Sequence, residues 1–231
     1  MLYLIPSFLG TESRPGVLPA EILQCIENIS VVFAENPKTA RKFFKQLGVQ
    51  KPLSEFVYYT LDKRSSAEEL REYLNILKGQ KSCGIISEAG CPAIADPGSA
   101  LVEMAHRAGI KVLPLVGPSS ILLALMASGL NGQSFSFHGY LPIDGKELAK
   151  KLADCIPAAQ QGYAQIVMET PYRNLKLFGE LLNRLPDNFR LCVAANLTQE
   201  SEWIKTALIS EWKKSKAPEI HKIPAIMVFG I

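Results

Sequence analysis

Ser87-Glu88-Ala89-Gly90-Cys91-Pro92-Ala93-Ile94-Ala95-Asp96-Pro97-Gly98 is the stretch on which the reading of this chain turns. It follows a short apolar run, Cys83–Ser87, and precedes a segment of helical spacing, Ser99–Ala108, that stops at Gly109. Strand, loop and helix in that order belong to a βαβ repeat and a parallel sheet. Loops in such units usually run to ~2–6 residues. This one is longer, stiffened by Pro92 and Pro97, and Gly90 lets backbone approach a ligand closely. Open parallel sheets bind ligands in the crevice beyond the carboxyl ends of their strands. The segment is therefore expected to be a ligand loop, with Asp96 orienting it or capping the next helix. An ordinary strand-to-helix connection is the weaker reading.

The same alternation extends outward. Leu2–Ile5, Val31–Glu35 and Val112–Val116 read as further buried strands. Helices are expected over Pro19–Asn28, Lys38–Leu47, Ser65–Leu77 and Ser119–Ser128, the third opening with the capping pattern SSAEE. This predicts an N-terminal α/β domain, 1–130, with a mostly parallel sheet and helices on both faces. Beyond the Asn131-Gly132 turn the pattern changes. Strands are expected at Ser134–Leu141, Ala164–Thr170, Arg190–Thr198, Trp203–Leu208 and Ile223–Ile231, with helices at about Gly145–Cys155 and Tyr172–Leu185 and a short one leading to Trp212. Strands that follow one another without a helix predict a mixed sheet in a C-terminal α/β domain, 131–231.

Composition sets the outer bounds. Hydrophobic residues make up 48% of the 231 and charged residues 20%, values of an ordinary globular protein. The net charge is +3 and neither half is a strongly basic block, so nucleic acid is neither demanded nor excluded, and a local patch could serve. Five cysteines form no CxxC pair and no zinc-like spacing with the three histidines. No metal and reduced thiols in a cytoplasmic protein are expected. The uncharged stretch Val112–Leu130 is broken by Pro114 and by Gly117-Pro118-Ser119-Ser120, which predicts a buried helix and no membrane span. The opening MLYLIPSFLG lacks a basic region and reads as a strand rather than a signal peptide. No GxGxxG, HExxH, GxSxG or paired-carboxylate constellation is evident, and Gly139–Lys146 has the wrong spacing for a phosphate loop.

A second junction, Val116-Gly117-Pro118-Ser119-Ser120, places hydroxyl residues at a helix start. Alone it reads as N-capping. Together with the long loop it gains weight, because carboxyl ends of neighbouring parallel strands face one crevice.

These residues resemble a family. SEAGCPAIADPG, then VGPSSILLALMASGL and FHGYLP, then Met168-Glu169-Thr170-Pro171-Tyr172-Arg173 and Val193-Ala194-Ala195-Asn196-Leu197-Thr198, are similar in order to the tetrapyrrole methylase superfamily of S-adenosylmethionine (SAM)-dependent methyltransferases. The ribosomal RNA small-subunit methyltransferase I branch, which 2′-O-methylates a cytidine ribose, is the nearest in look. The resemblance implies two α/β domains, a homodimer, and SAM in the cleft between the domains. Carried over by position, it implies cofactor contacts at Gly90, Cys91, Pro92, Ile94, Ser119, Ser120, Met168, Ala195, Asn196, Pro224 and Ala225. For Met168 a core methionine is an equal reading. A hydroxyl acceptor calls for a general base. Glu35 and Glu169, each at a strand's carboxyl end, are candidates, with Arg173 as a substrate contact, and salt-bridged or capping roles are the alternatives. His138 reads as a satisfied core histidine, and Lys213-Lys214-Ser215-Lys216 as a solvated helix end. The branch's AEDTR is Ala34-Glu35-Asn36-Pro37-Lys38 here, and its histidine-bearing segment is Tyr58-Tyr59-Thr60-Leu61-Asp62. Three acceptor readings follow: RNA, with ribosomal RNA foremost; a tetrapyrrole-like or other small molecule; or SAM binding without catalysis.

Overall fold

A computed structural model describes residues 1–14 and 16–231; Pro15, in the stretch SFLGTESRPG, lies outside them. The chain divides into two compact units, Met1–Ser119 and Ser120–Ile231.

The first unit is built on five parallel strands, β1 (Leu2–Ile5), β2 (Val31–Ala34), β3 (Val57–Thr60), β4 (Cys83–Ile86) and β5 (Val112–Pro114), in the order β3-β2-β4-β1-β5. Between them lie α1 (Ala20–Glu27), α2 (Pro37–Leu47), α3 (Ala67–Gly79) and α4 (Ser99–Arg107). The strands are apolar on both faces because both are covered. Val32, Ala34, Ile5 and Ile86 pack with Ile22 and Ile26 of α1 and with Phe43 and Phe44 of α2. Val31, Phe33, Cys83 and Ile85 point the other way, to Tyr73 and Leu77 of α3 and Leu101 and Ala105 of α4. This alternation bears out the expected doubly covered sheet. Ser66 caps α3 with a reciprocal Glu69 contact, as SSAEE suggests.

Strand β3 is absent from the sequence expectations. It is an edge strand, its Val57 is half exposed, and it lacks a continuous apolar run. Its two central tyrosines serve opposite faces. Tyr58 lies against Phe44 and Phe56, and Tyr59 against Phe33 and Tyr73.

The second unit holds α5 (Ser120–Ser128) and the strands β6 (Phe135–Tyr140), β7 (Ala164–Met168), β8 (Arg190–Ala195), β9 (Trp203–Leu208) and β10 (Ala225–Gly230), with α6 (Gly145–Gln160), α7 (Asn174–Arg184) and α8 (Ile209–Trp212). The sheet order is β6-β7-β10-β8-β9. Only the β6·β7 pair is parallel, so the sheet is mixed, as expected. Leu148, Leu152 and Ala159 of α6, Leu177 and Leu181 of α7, and Trp212 form its main core with Val193, Met227 and Phe229. Helix α5, placed with residues 1–130 by the sequence, packs on β7, β8, β9 and β10. Its apolar composition suits burial against a sheet, and the chain turn at Asn131 simply returns it to that sheet.

One local reading changes. Helix α6 runs past Pro157 to Gln160, beyond the expected end at Cys155. Proline costs the helix one bond, but Cys155 and Ala159 are buried on either side and hold the last turn in the core. The Gly139–Lys146 segment runs from the end of β6 to the start of α6, where Asp144 accepts from the backbone N–H groups of Lys146 and Glu147 at 2.9 and 3.0 Å.

Candidate functional site

The Ser87–Gly98 loop leaves the carboxyl end of β4 and is fastened on both sides. The Ser7 backbone N–H, just after β1, donates to the Gly90 carbonyl at 2.9 Å, and Ser7 Oγ donates to the Ser87 carbonyl at 3.0 Å. Ser87 Oγ also donates to the Gly90 carbonyl, at 2.6 Å. On the other side, the Cys91 thiol donates to the Pro118 carbonyl beyond β5, at 3.5 Å. Gly90 has φ +75°, and a Cβ there would sit 3.2 Å from the Pro118 oxygen. Ala93 and Ala95 take φ of +64° and +61°, which costs an L-residue on the order of 1 kcal/mol each. Strain of this kind persists where surrounding contacts over-determine the backbone, as at ligand clamps. Pro92 is buried in the loop and Ile94 is half exposed at its outer side.

Three carboxylates gather at the same edge: Glu35 beyond β2, and Glu88 and Asp96 in the loop. Asp96 is raised to about 6, by burial first and then by Glu35 and Glu88, with Lys63 in opposition. Glu88 is also raised, by burial first and by Glu35, against a lowering hydrogen bond from Thr39. An open cleft of about 500 Å³ is lined by Glu35, Asn36, Asp62, Lys63, Arg64 and Glu88. No paired-carboxylate motif announces this group, because Glu35 is far along the chain from Glu88 and Asp96. The available signal was positional: parallel strands bring every residue that follows a strand to one edge. Glu88 and Asp96 thus join Glu35 as candidates.

In the second unit, five sequence-named residues assemble at one edge of the sheet. Met168 ends β7, Ala195 ends β8 and Ala225 begins the antiparallel β10 between them. Met168 is in register with Ile226, and Ala195 with Ala225. Asn196 has φ +49° and donates its N–H to the Pro224 carbonyl at 3.0 Å. Its side chain bonds Ser201 and Gln199 at 3.0 and 3.3 Å. Ser119 immediately precedes α5 and Ser120 opens it. His138 is partnered: its Nε2 lies 2.8 Å from Gln165 Oε1, and the Gln165 amide is oriented by the Tyr163 carbonyl.

Glu169 and Arg173 form an ion pair at 2.6 Å, with the Glu169 side chain 4% and that of Arg173 29% exposed. Glu169 also accepts from the Thr170 N–H at 2.7 Å. These contacts tie the Glu169 carboxylate to the turn that follows β7. Arg173→Ala would leave this buried charge alone, and a loss of about 2 kcal/mol in urea unfolding is expected, the partial exposure of the arginine reducing the ~3–5 kcal/mol of a fully buried pair. An unchanged unfolding midpoint would show the pair to be incidental.

No family model matches the chain. Among curated proteins it is 29% identical over 211 residues to a Vibrio cholerae protein named ribosomal RNA small subunit methyltransferase I, covering 91% of this chain and 69% of that one. It is 29% identical over 189 residues to a protein of the same name from Thermotoga maritima, covering 82% and 81%. Its fold is shared by the methyltransferase CobJ (TM-score 0.64, 16% identity, 99% and 92% covered). It is shared too by the uroporphyrin-III C-methyltransferase of Thermus thermophilus complexed with S-adenosylhomocysteine (TM-score 0.53, 17% identity, 99% and 96% covered). The resemblance read from the loops is borne out: the chain has the tetrapyrrole methylase fold and is a divergent homologue of the proteins named ribosomal RNA small subunit methyltransferase I.

Proposed function

We propose that this chain, a SAM-dependent methyltransferase like the relatives it matches, methylates a ribose 2′-hydroxyl of RNA, with small-subunit ribosomal RNA as the acceptor. The observation that carries the reading is the strained, doubly fastened Ser87–Gly98 loop, together with relatives aligned along 91% of the chain. The residues present suit the cofactor. Gly90 keeps the loop backbone bare, Cys91 and Pro92 hold its shape, and Glu35, Glu88 and Asp96 offer negative charge to a sulfonium and an ammonium group. Ser119 and Ser120, and at the second sheet's edge Met168, Ala195, Asn196, Pro224 and Ala225, complete the proposed contacts.

SAM supplies an already activated methyl group, so the chain's work is positioning. The acceptor oxygen gains the C–O bond, the C–S bond breaks, and the hydroxyl proton passes to a base. Glu35 is the proposed base. It borders the cleft at the carboxyl end of β2, where an acceptor hydroxyl can reach it. Glu169 and Arg173 position the backbone after β7. The proposal includes a homodimer, supported by the large apolar side chains Met126, Ile143 and Tyr172, which are 80%, 68% and 70% exposed. A ribosomal acceptor would set the enzyme in the cytoplasm; no helix among the described residues is long and apolar enough to cross a membrane.

Calorimetry with SAM tests the cofactor. Incubation with methyl-labelled SAM and undermodified small-subunit RNA tests the acceptor. A 2′-O-methyl group removes the hydroxyl that drives alkaline cleavage, so label should survive in alkali-resistant dinucleotides. Label released with mononucleotides would move the acceptor atom to a base. SAM binding with no transfer to any RNA would leave a binding protein without this activity.

A further inference from the structure

The observations reach furthest on the outer face of α2, whose sequence is PKTARKFFKQL. Ala40, Phe43, Phe44 and Leu47 recur at helical spacing, and the first three are buried in the core. Lys38, Arg41, Lys42 and Lys45 recur at the same spacing two residues out of phase and are all exposed. They form one stripe about 10 Å long.

Folding alone does not ask for this stripe. Helix α2 contains no acidic residue, and among the described residues none of its four cations is in an ion pair. The other helices that carry cations interleave them with acids: α3 has three glutamates with Arg71 and Lys78, while α4 and α7 pair Arg107 with Glu103 and Arg184 with Glu180. A helix dipole favours a cation only in the last turn, which accounts for Lys45 but runs against Lys38. Arg41 lies over the Tyr58 ring, its guanidinium carbon 4.3 Å from the ring centre. The stripe also has a direction. Asn36, which caps α2 and accepts from the Lys38 N–H, lines the cleft that also holds Lys63 and Arg64, so the cations of α2 begin at the cleft's rim.

We propose that the α2 stripe is a track for the phosphate backbone of the RNA acceptor, leading the strand to the cleft lined by Glu35 and Asp62. This rests on the RNA reading above. The stripe would extend outward the positive charge that Lys63 and Arg64 already supply among the cleft's carboxylates. The length suits about three stacked nucleotides at ~3.4 Å per step. An anionic membrane is the other polyanion that could meet the stripe, but the apolar side of α2 is committed to the core and has nothing to insert. The other basic run, Lys213–Lys216, is partly neutralised: Lys213 pairs with Asp187 and Lys216 with Glu219.

The test compares the parent with a Lys38→Gln, Lys42→Gln, Lys45→Gln variant, leaving Arg41 on its ring. Binding of a short fluorescein-labelled single-stranded RNA is followed by anisotropy over a salt series. Each lost phosphate contact removes about 0.7 from the salt slope. A slope shallower by about 2 and binding about a hundredfold weaker at 0.1 M salt are expected, with SAM affinity and melting temperature unchanged. The matching lysine-to-arginine variant should bind as the parent does. If the parent binds RNA and the glutamine variant matches it in slope and affinity, the track is refuted while the RNA reading stands. If the parent binds SAM but no RNA, the RNA reading falls and takes the track with it. Loss of binding to phosphatidylserine vesicles, with RNA binding intact, would assign the stripe to membranes.

Discussion

Gly117→Ala is expected to destabilise the first unit by about 3 kcal/mol and to abolish SAM binding at concentrations that saturate the parent. A Cβ on Gly117 would lie 2.2 Å from Pro6 Cγ and 2.4 Å from Pro6 Cβ. Carbon atoms in contact sit at about 3.5–4.0 Å. The proline ring cannot swing aside, because its φ is fixed, and Pro6 continues directly from β1 between β4 and β5. Backbone must therefore move. The next residue is Pro118, whose carbonyl receives the Cys91 thiol and touches the space over Gly90, so the displacement reaches the ligand loop directly. Gly84→Ala provides the contrast. Its nearest atoms, 2.6 and 2.8 Å away, are the terminal Cδ1 atoms of Ile5 and Ile29, which can rotate, and a smaller loss is expected. Urea unfolding and calorimetry with SAM read both effects. A Gly117→Ala protein as stable as the parent, with parental affinity, would mean that the close contact with Pro6 is not a feature of the fold.

Much of the architecture is legible in the sequence because each layer repeats one signal. The strands of the first unit are apolar on both sides, so they stand out as short runs, and the helices between them carry clear starts such as Ser66 and clear stops such as Gly48. What escapes is what depends on neighbours. Strand β3 is held by aromatic contacts on its two faces, and no run of its own announces it. The last turn of α6 survives Pro157 because of burial that the local sequence does not display. At the site, the loop is legible from its prolines and glycines, whereas the partnership of Glu35 with Glu88 and Asp96 is a product of strand order. Salt-bridged roles are open to Glu169 and to Arg173 separately in the sequence, but only the turn after β7 shows that these two side chains meet.

With SAM at the proposed site, its affinity is expected to depend on pH through the same acidic group, with a sign opposite to the group's effect on stability. Asp96 is raised to about 6, by burial first and by Glu35 and Glu88, with Lys63 in opposition. In the unfolded chain it titrates near 3.8. Between these values the folded state holds the proton more tightly, so protonation favours folding there. Stability of the ligand-free protein should thus fall as pH rises from about 4 through 6 and then level off. Solvent screening of a half-buried group limits this to about 1 kcal/mol. A bound sulfonium and ammonium need the opposite state. Affinity for SAM should rise about tenfold per pH unit up to about 6 and be flat above it. Asp96→Asn separates the two effects. It keeps the shape and removes the charge, so at pH 7.5 it should be about 1 kcal/mol more stable than the parent yet bind SAM on the order of a hundredfold more weakly. Urea unfolding at several pH values and calorimetry over the same range would measure both. If SAM affinity is the same at pH 5 and pH 7.5, and the asparagine variant binds as the parent does, the carboxylates at this edge do not face the cofactor, and the charge gathered by Glu35, Glu88 and Asp96 would have to be assigned to the acceptor.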